Sequence, residues 1–308
     1  MTPHVSIIIP TYRRWNFLFE AIESVFNQTY RDWEIIIVND GGGSPEGKII
    51  DFLNDPKVRY IEHLNNMGIA SARNTGISNS AGDFIAYLDD DDIFYPNHLE
   101  VLMNEMVKNN WDVAYTDSYK GSYIGSGENY KLIKKEVQYS HDFDRKKLWK
   151  ANFIPTLCIC HRHDCLSATG GFDPSLKVLE DWNMWLKMSL YYMFHHIPQI
   201  TAEYRVRLDE TNTTQRTSDE IWKKASLTIY HDFLDNPLIT QNRTYLECLK
   251  NGITKFIRKN YIWVTQNMQK DYLAPSLKEI INIISFSGWI RIFVRHPLSL
   301  IRLRNYKK

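Results

Sequence analysis

Short apolar runs alternate with segments of helical periodicity along the first half of the chain. The apolar runs predict four strands, over residues 5–9, 34–38, 58–61 and 84–88. Apolar residues spaced three and four apart predict helices over residues 17–26, 49–53, 70–79 and 97–108. This alternating order favours an α/β fold: a doubly wound, mostly parallel sheet with helices on both faces.

The last third of the chain has a helical pattern and no motif typical of catalysis. Beyond Glu279 there is no acidic residue, while six arginines and lysines alternate with aromatic and aliphatic residues over 286–308. A basic amphipathic tail of this kind suits peripheral contact with an anionic membrane surface. An oligomer contact, or packing against the rest of the chain, fits the pattern equally well.

Composition and charge narrow the classes of function. The chain has 308 residues, of which 44% are hydrophobic, and this suits a globular protein with a sizeable core. With 37 basic against 36 acidic residues the net charge is +1, which gives no overall field to gather nucleic acid. No secretory leader and no run of about 18 apolar residues is found. We therefore expect a cytoplasmic protein, free or at the inner face of the cell membrane.

Four adjacent carboxylates, Asp89 to Asp92, follow the fourth predicted strand. Like charges at a strand end repel one another, and a divalent metal that carries a phosphorylated ligand is their natural complement. A solvated acidic turn, or aspartates that cap the next helix, would explain the same residues.

Polar residues also follow the first two predicted strands, over 10–13 and 39–43. In open α/β sheets ligands bind beyond the carboxyl ends of the strands, so these groups and the aspartates are expected to meet in one crevice. A dinucleotide-binding oxidoreductase would carry its glycine fingerprint directly after the first strand, where this chain has Pro-Thr-Tyr-Arg. That class is therefore disfavoured.

Six blocks in this order resemble the inverting GT-A glycosyltransferases of family 2. They are VSIIIPTY at 5–12, SVFNQTY at 24–30, EIIIVND at 34–40, NMGIASARN at 66–74, LDDDD at 88–92, and GGFD at 170–173 with EDW at 180–182. The resemblance implies a GT-A catalytic domain over 1–217, with a nucleotide-binding half (1–117) and an acceptor half (118–217). The remaining residues, 218–308, are then a helical extension with a basic amphipathic tail.

The resemblance also implies a donor site for a nucleotide sugar, most often a UDP-sugar. Its expected members are Pro10, Thr11, Tyr12, Arg13, Asp40, Asn66, Gly68, Arg73, Asp89, Asp90, Arg205 and Arg207. Asp40 is expected to accept a hydrogen bond from the base, Arg73 to lie near the phosphates, and Asp89 or Asp90 to face the ribose. A turn aspartate at 40 and a surface ion pair at 73 are the structural alternatives.

Asp91 is the expected ligand of Mn²⁺ or Mg²⁺, and Asp181 the expected catalytic base. Glu180 and Trp182 are weaker candidates for the acceptor site. The start of a helix would lower the pKa of Asp181, whereas burial or the neighbouring Glu180 would raise it. Arg207 stands where family members often have a histidine, and an arginine cannot ligate a metal ion.

The function implied by the resemblance is metal-dependent, inverting transfer of a sugar to a hydroxyl of a glycan or lipid-linked acceptor, in the synthesis of cell-surface polysaccharide. The alternative is a non-catalytic subunit of the same fold that helps to hold a membrane glycan-assembly complex together.

Overall fold

The computed structural model describes residues 5–47, 49–126, 129–208, 217–234, 236–260 and 263–264. The chain divides into two compact units. The first comprises Met1–Asp144 and Asn152–Ala225, and the second comprises Arg145–Ala151 and Ser226–Lys308. The domain boundaries at residues 117 and 217 stay a prediction.

The sequence forms most of the elements that its apolar pattern predicts. Within the described residues the strands are β1 (Val5–Thr11), β2 (Trp33–Asn39), β3 (Val58–Glu62), β4 (Phe84–Tyr87), β5 (Ile93–Phe94), β6 (Val113–Ser126), β7 (Asn129–Tyr139), β8 (Ile159–Arg162) and β9 (Phe194–Arg207). The helices are α1 (Trp15–Phe26), α2 (Ile49–Leu53), α3 (Ile69–Ser78), α4 (His98–Asn109), α5 (Arg145–Leu148), α6 (Cys165–Thr169), α7 (Glu180–Tyr191), α8 (Asp219–Leu234), α9 (Pro237–Thr240) and α10 (Arg243–Lys259). Each of the eight helices and strands predicted in the first half is present, with ends that differ by at most two residues.

The strands form one mixed sheet in the order β3-β2-β1-β4-β8-β6-β9-β5, and β7 pairs with β6 at its side. The first four strands in this order, β3, β2, β1 and β4, are parallel to one another, and β8 runs antiparallel to both β4 and β6. Ile8 is level with Ile36 on one side and with Tyr87 on the other. This register brings the carboxyl ends of β1, β2 and β4 to one edge of the sheet, where the polar segments follow.

Both faces of the parallel strands are buried, which explains their unbroken apolar runs. Ile7 and Ile9 pack on one face in a core with Leu18 of α1 and Leu99 of α4. Ile8 points to the other face, where a Cβ added to Gly76 of α3 would lie 2.4 Å from its Cγ2 atom. Helices therefore cover both faces, as the pattern predicts.

A long hairpin made of β6 and β7 is the main element that the apolar pattern does not reveal. Its second strand is almost entirely exposed and rich in lysine, so it shows no buried face from which a strand could be predicted. A side chain at Gly121 of β6 would displace the carboxylate of Glu203 on the neighbouring strand β9, because an added Cβ would lie 2.6 Å from its Oε1 atom.

The second unit confirms the helical pattern of the last third within its described residues. The side chain of Asn236 accepts a hydrogen bond from the amide of Leu238 at the start of α9, and Asn242 caps α10 through two amides. None of the described helices is long and apolar enough to cross a membrane. The basic tail at 286–308 lies outside the described residues.

Candidate active site

We call the four carboxylates Asp89 to Asp92 the acidic turn. Asp90 joins this turn to the end of β1. Thr11 Oγ1 donates a 2.7 Å hydrogen bond to Asp90 Oδ2, and Arg14 Nη2 lies 2.7 Å from Asp90 Oδ1. Burial raises the pKa of Asp90 to about 7, although Arg14 opposes the shift. Asp90 has no exposed surface. Of the two aspartates expected at the ribose, it is therefore Asp89 that a ligand can reach.

Asp91 is held by two arginines through a single oxygen atom. Arg14 Nη1 lies 2.8 Å and Arg207 Nη2 lies 2.7 Å from Asp91 Oδ2. Among the described residues, every contact of this carboxylate falls on Oδ2. The guanidinium of Arg207 also lies over the ring of Phe17, 4.1 Å from its centroid. We call Arg14 and Arg207 the arginine pair.

The sequence does not mark Arg14, because it stands outside the block at 5–12 and beside a second arginine. The charge of the acidic turn could have revealed Arg14, because four consecutive carboxylates require cations nearby. Arg14 follows β1, which pairs with β4, so it lies at the same edge of the sheet as the turn.

Asp92 joins the acidic turn to β9. Its Oδ1 atom accepts a 2.7 Å hydrogen bond from the backbone amide of Arg205, and burial raises the pKa of Asp92 well above its ordinary value. The side chain of Arg205 forms an ion pair with Glu20. The side chain of Arg205, which was expected to bind the donor, thus pairs with Glu20 of α1. The backbone amide of Arg205 holds the acidic turn in place.

Arg73 connects the acidic turn to the start of α7. Its Nη2 atom donates to Asp89 Oδ1 and its Nη1 atom to Glu180 Oε1, both at 2.7 Å. Arg73 is 1% exposed, so its guanidinium is not open to the phosphates of a ligand as the resemblance implies. It holds two acidic motifs together that are 91 positions apart in the chain, Asp89 and Glu180.

Asp181 lies beside this connection, at the start of α7. Asn152 Nδ2 donates a 2.8 Å hydrogen bond to Asp181 Oδ2, and Thr156 Oγ1 lies 3.3 Å from the same atom. Burial, followed by the charge of Glu180, raises the pKa of Asp181 to about 7, while Arg73 opposes the shift. Burial and the charge of Glu180 therefore outweigh the start of the helix, which was expected to lower the pKa of Asp181.

Trp182, the residue after Asp181, packs in the core. Trp182 is 4% exposed, so its ring offers no open face on which an acceptor sugar could stack. Glu180 is also buried and bonded to Arg73. We therefore assign positioning roles to both of these weaker acceptor candidates.

Asp40 organises a second loop at the same edge of the sheet. Its Oδ1 atom receives His63 Nδ1 at 2.7 Å and the amide of Met67 at 2.8 Å, and its Oδ2 atom receives the amide of Gly68 at 2.8 Å. Gly68 has a φ of 90°, a conformation that favours glycine. Oδ2 can accept a further donor, since a carboxylate oxygen has two lone pairs.

The segment after β1 supplies the exposed part of this edge. Tyr12 is 40% exposed, and the Arg13 guanidinium lies 5.1 Å from the centroid of its ring. Pro10 is buried in the strand, whereas Asn66 is exposed on the loop that Asp40 anchors. Tyr12, Arg13 and Asn66 are thus accessible to a ligand, and Pro10 and Thr11 set the path of the chain beneath it.

The acidic turn fits a divalent metal that arrives with a diphosphate. No group of three or more histidine, cysteine or carboxylate side chains is placed to hold a metal by itself within the described residues. Mg²⁺, however, is commonly bound by one or two carboxylates together with phosphate oxygens of the substrate. Asp91 offers a hard oxygen ligand of this kind, because the described contacts leave its Oδ1 atom unused.

Comparison with known proteins identifies the family. The sequence profile described as Glycosyl transferase family 2 matches residues 6–165, which is more than half of the chain. The chain belongs to glycosyl transferase family 2. An uncharacterized glycosyltransferase of Rickettsia bellii (strain RML369-C) is 32% identical over 216 residues, 67% of this chain and 29% of that protein. The chain thus spans less than a third of the length of this relative.

Two further relatives extend the comparison. The putative colanic acid biosynthesis glycosyl transferase WcaA of Escherichia coli (strain K12) is 32% identical over 196 residues, which cover 62% of this chain and 67% of that protein. The crystal structure of S. aureus TarS 1-349 in complex with UDP-GlcNAc superimposes with a TM-score of 0.66 at 16% identity, covering 91% of this chain and 81% of TarS 1-349. At this identity the structural likeness shows the fold, and it confirms the GT-A prediction.

Proposed function

We propose that this family 2 member is an inverting glycosyltransferase that moves a sugar from a UDP-sugar to a hydroxyl of a glycan or lipid-linked acceptor in cell-surface polysaccharide synthesis. The observation that carries the proposal is the juxtaposition at Arg73. A buried guanidinium joins Asp89 of the acidic turn to Glu180, the residue before a carboxylate whose pKa is raised to about 7. A general base works best when its pKa lies near the operating pH.

Asp181 is the base in this proposal. It takes the proton from the acceptor hydroxyl as that oxygen attacks the anomeric carbon. The bond from the anomeric carbon to the diphosphate oxygen breaks on the opposite face, so the nucleoside diphosphate leaves with the electron pair and the configuration inverts. Asn152 and Thr156 orient the carboxylate through the bonds to Oδ2, and Arg73 keeps Glu180 in place beside it.

The donor is held at the edge formed by the ends of β1, β2 and β4. Asp40 Oδ2 accepts the imide N–H of uracil in addition to the amide of Gly68, Asp89 faces the ribose, and Tyr12, Arg13 and Asn66 line the accessible rim. The buried positive charge of Arg207, beside Asp91, attracts the diphosphate. The UDP-GlcNAc complex of TarS, which shares this fold, and WcaA, named for colanic acid synthesis, support the choice of donor and pathway class.

Asp91 would hold the Mn²⁺ or Mg²⁺ ion at this site. When bound, such an ion neutralises the charge that develops on the departing diphosphate. The protein supplies one carboxylate, and the phosphates of the donor complete the set of oxygen ligands.

The test begins with calorimetric titration of UDP, GDP, CDP and dTDP, each with and without Mn²⁺. We expect UDP to bind and the metal to strengthen its binding. The Asp91→Asn variant should lose the contribution of the metal, and Glu105→Gln is the matched control, because this partly exposed carboxylate on α4 bonds to Asn109 of the same helix. An Asp91→Asn variant that keeps the full effect of Mn²⁺ would refute the metal assignment.

A transfer assay separates the enzyme from the non-catalytic alternative. With the sugar nucleotide that binds, Asp181→Asn should lower kcat by at least about a hundredfold, the usual contribution of a general base, and should leave the affinity for UDP unchanged. A wild-type protein that binds none of the four nucleotides would favour the scaffold function instead.

A further inference from the structure

We infer that Arg14 is a donor-binding residue that exchanges partners, leaving Asp91 for the diphosphate when donor and metal bind together. The inference rests on the proposed function and deepens it. It makes the arginine pair the counter-ion of Asp91 in the free protein, and it predicts that metal and nucleotide strengthen each other's binding through the movement of Arg14.

The geometry sets up a direct competition at Asp91. Both guanidinium groups bond to Oδ2 of one carboxylate, at 2.8 Å from Arg14 and 2.7 Å from Arg207. A cation bound at Asp91 meets the positive charge of both arginines at short range, and this repulsion opposes its binding. A metal ion alone is therefore expected to bind weakly.

A diphosphate removes this repulsion. Its oxygens match the planar fork of an arginine, which binds phosphate with two parallel hydrogen bonds. Once Arg14 bonds to phosphate, Asp91 loses one of its two cationic partners and its carboxylate becomes available to the metal, while Arg207, with a side chain 3% exposed, stays in place. Each ligand thereby removes the obstacle to the other, which is a coupling free energy between the two binding events.

Arg14 is suited to move, whereas the third arginine of the site is not. Its side chain is 30% exposed at the edge of the sheet, and both terminal nitrogens bond to the acidic turn alone in the described contacts. Arg73, with a side chain 1% exposed, is enclosed between two motifs. Arg14 can therefore turn toward a ligand at the rim without opening the core.

The experiment measures the binding of each ligand with and without the other. Mn²⁺ binding is followed by electron paramagnetic resonance of the free ion, and UDP binding by calorimetry, for the wild type and for Arg14→Gln. We expect the variant to bind Mn²⁺ alone severalfold more tightly and to bind UDP in the presence of Mn²⁺ about tenfold more weakly. With UDP binding in the absence of metal changed much less, the mutual enhancement should shrink by about tenfold. Loss of an ordinary structural contact would weaken both ligands instead.

Arg162→Gln is the matched control, because Arg162 has a similar exposed fraction of 31% and also pairs with a carboxylate, that of Asp112. It should leave all four binding constants unchanged. Arg14→Lys keeps the charge without the fork, and it covers the case in which Arg14→Gln does not fold: it should bind Mn²⁺ alone as the wild type does and UDP severalfold more weakly.

The outcomes distinguish this inference from the proposed function. If the wild type binds UDP and Arg14→Gln binds UDP and Mn²⁺ with wild-type constants, the role of Arg14 is overturned while the proposed function stands. If the wild type binds no nucleoside diphosphate, both are overturned. Thermal unfolding of each variant, measured beside the titrations, shows that a change in binding belongs to a folded protein.

Discussion

Replacing Glu180 by glutamine should move the titration of Asp181 to lower pH. Glu180 is the second contribution, after burial, to the raised pKa of Asp181, and Arg73 acts in the opposite direction. The glutamine keeps an oxygen that accepts the 2.7 Å hydrogen bond from Arg73 Nη1, so the packing is conserved. The substitution removes a negative charge and also leaves Arg73 less compensated, and both changes favour the ionised form of Asp181.

The size of the shift follows from Coulomb's law. At an effective dielectric constant of about 20, two like unit charges repel by about 1.4 kcal/mol or more at any separation up to about 12 Å, and about 1.4 kcal/mol corresponds to one pKa unit. Removal of the Glu180 charge should therefore lower the pKa of Asp181 from about 7 by one unit or more. The larger effect of burial remains, so the pKa should stay above its ordinary value of 3.8.

The pKa can be measured without knowing the acceptor. Protein labelled with ¹³C at the aspartate carboxyl carbons is titrated by NMR, and the signal of Asp181 is the one that disappears in Asp181→Asn. Glu105→Gln is the control for a carboxylate removed elsewhere. If the Asp181 signal titrates at the same pH in Glu180→Gln as in the wild type, the electrostatic account of this site is refuted.

Other predictions concern stability and the donor loop. The pKa values of Asp90 and Asp181 are raised to about 7 in the folded protein, against 3.8 in the unfolded chain. Their contribution to stability is therefore complete below pH 3.8 and is lost as the pH rises through about 7. The thermal unfolding midpoint should fall over this range. Tyr87→Phe should lower the free energy of unfolding by about 1–3 kcal/mol in urea titrations, since it leaves Nε2 of buried His161 without its 2.7 Å partner. Asp40→Asn should weaken UDP binding in calorimetry, because the new amide group cannot accept all three donors; unchanged affinity would contradict its role in holding the loop.

The parallel half of the sheet could be predicted from sequence because burial on both faces leaves a plain apolar signal. The strands at 5–9 and 34–38 consist almost entirely of aliphatic residues, and they form as predicted. Hairpin strand β7 could not be predicted in this way, since its position at the side of the sheet leaves most of its residues in water and removes the alternation on which the prediction depends.

The candidate site also has a part that could be predicted from sequence and a part that could not. The sequence brings the acidic turn, the end of β1 and the start of α7 to one region, because the order of strands dictates where their ends meet. It does not tell which oxygen of which aspartate is buried. Asp90 and Asp91 are adjacent and chemically identical, yet Asp90 is fully buried and bonds to Thr11 and Arg14, whereas Asp91 is partly exposed and bonds to both members of the arginine pair. Only the twist of the turn decides between them.

Arg73 also limits how this site can change in evolution or in the laboratory. Since one side chain sets the spacing of the acidic turn and of the residue before Asp181, an alteration made to accommodate a different donor displaces the group that serves the acceptor. We therefore expect donor and acceptor preferences to change together, and a chimera of two relatives should work best when its junction lies beyond Glu180, so that Asp89, Arg73 and Glu180 come from the same parent.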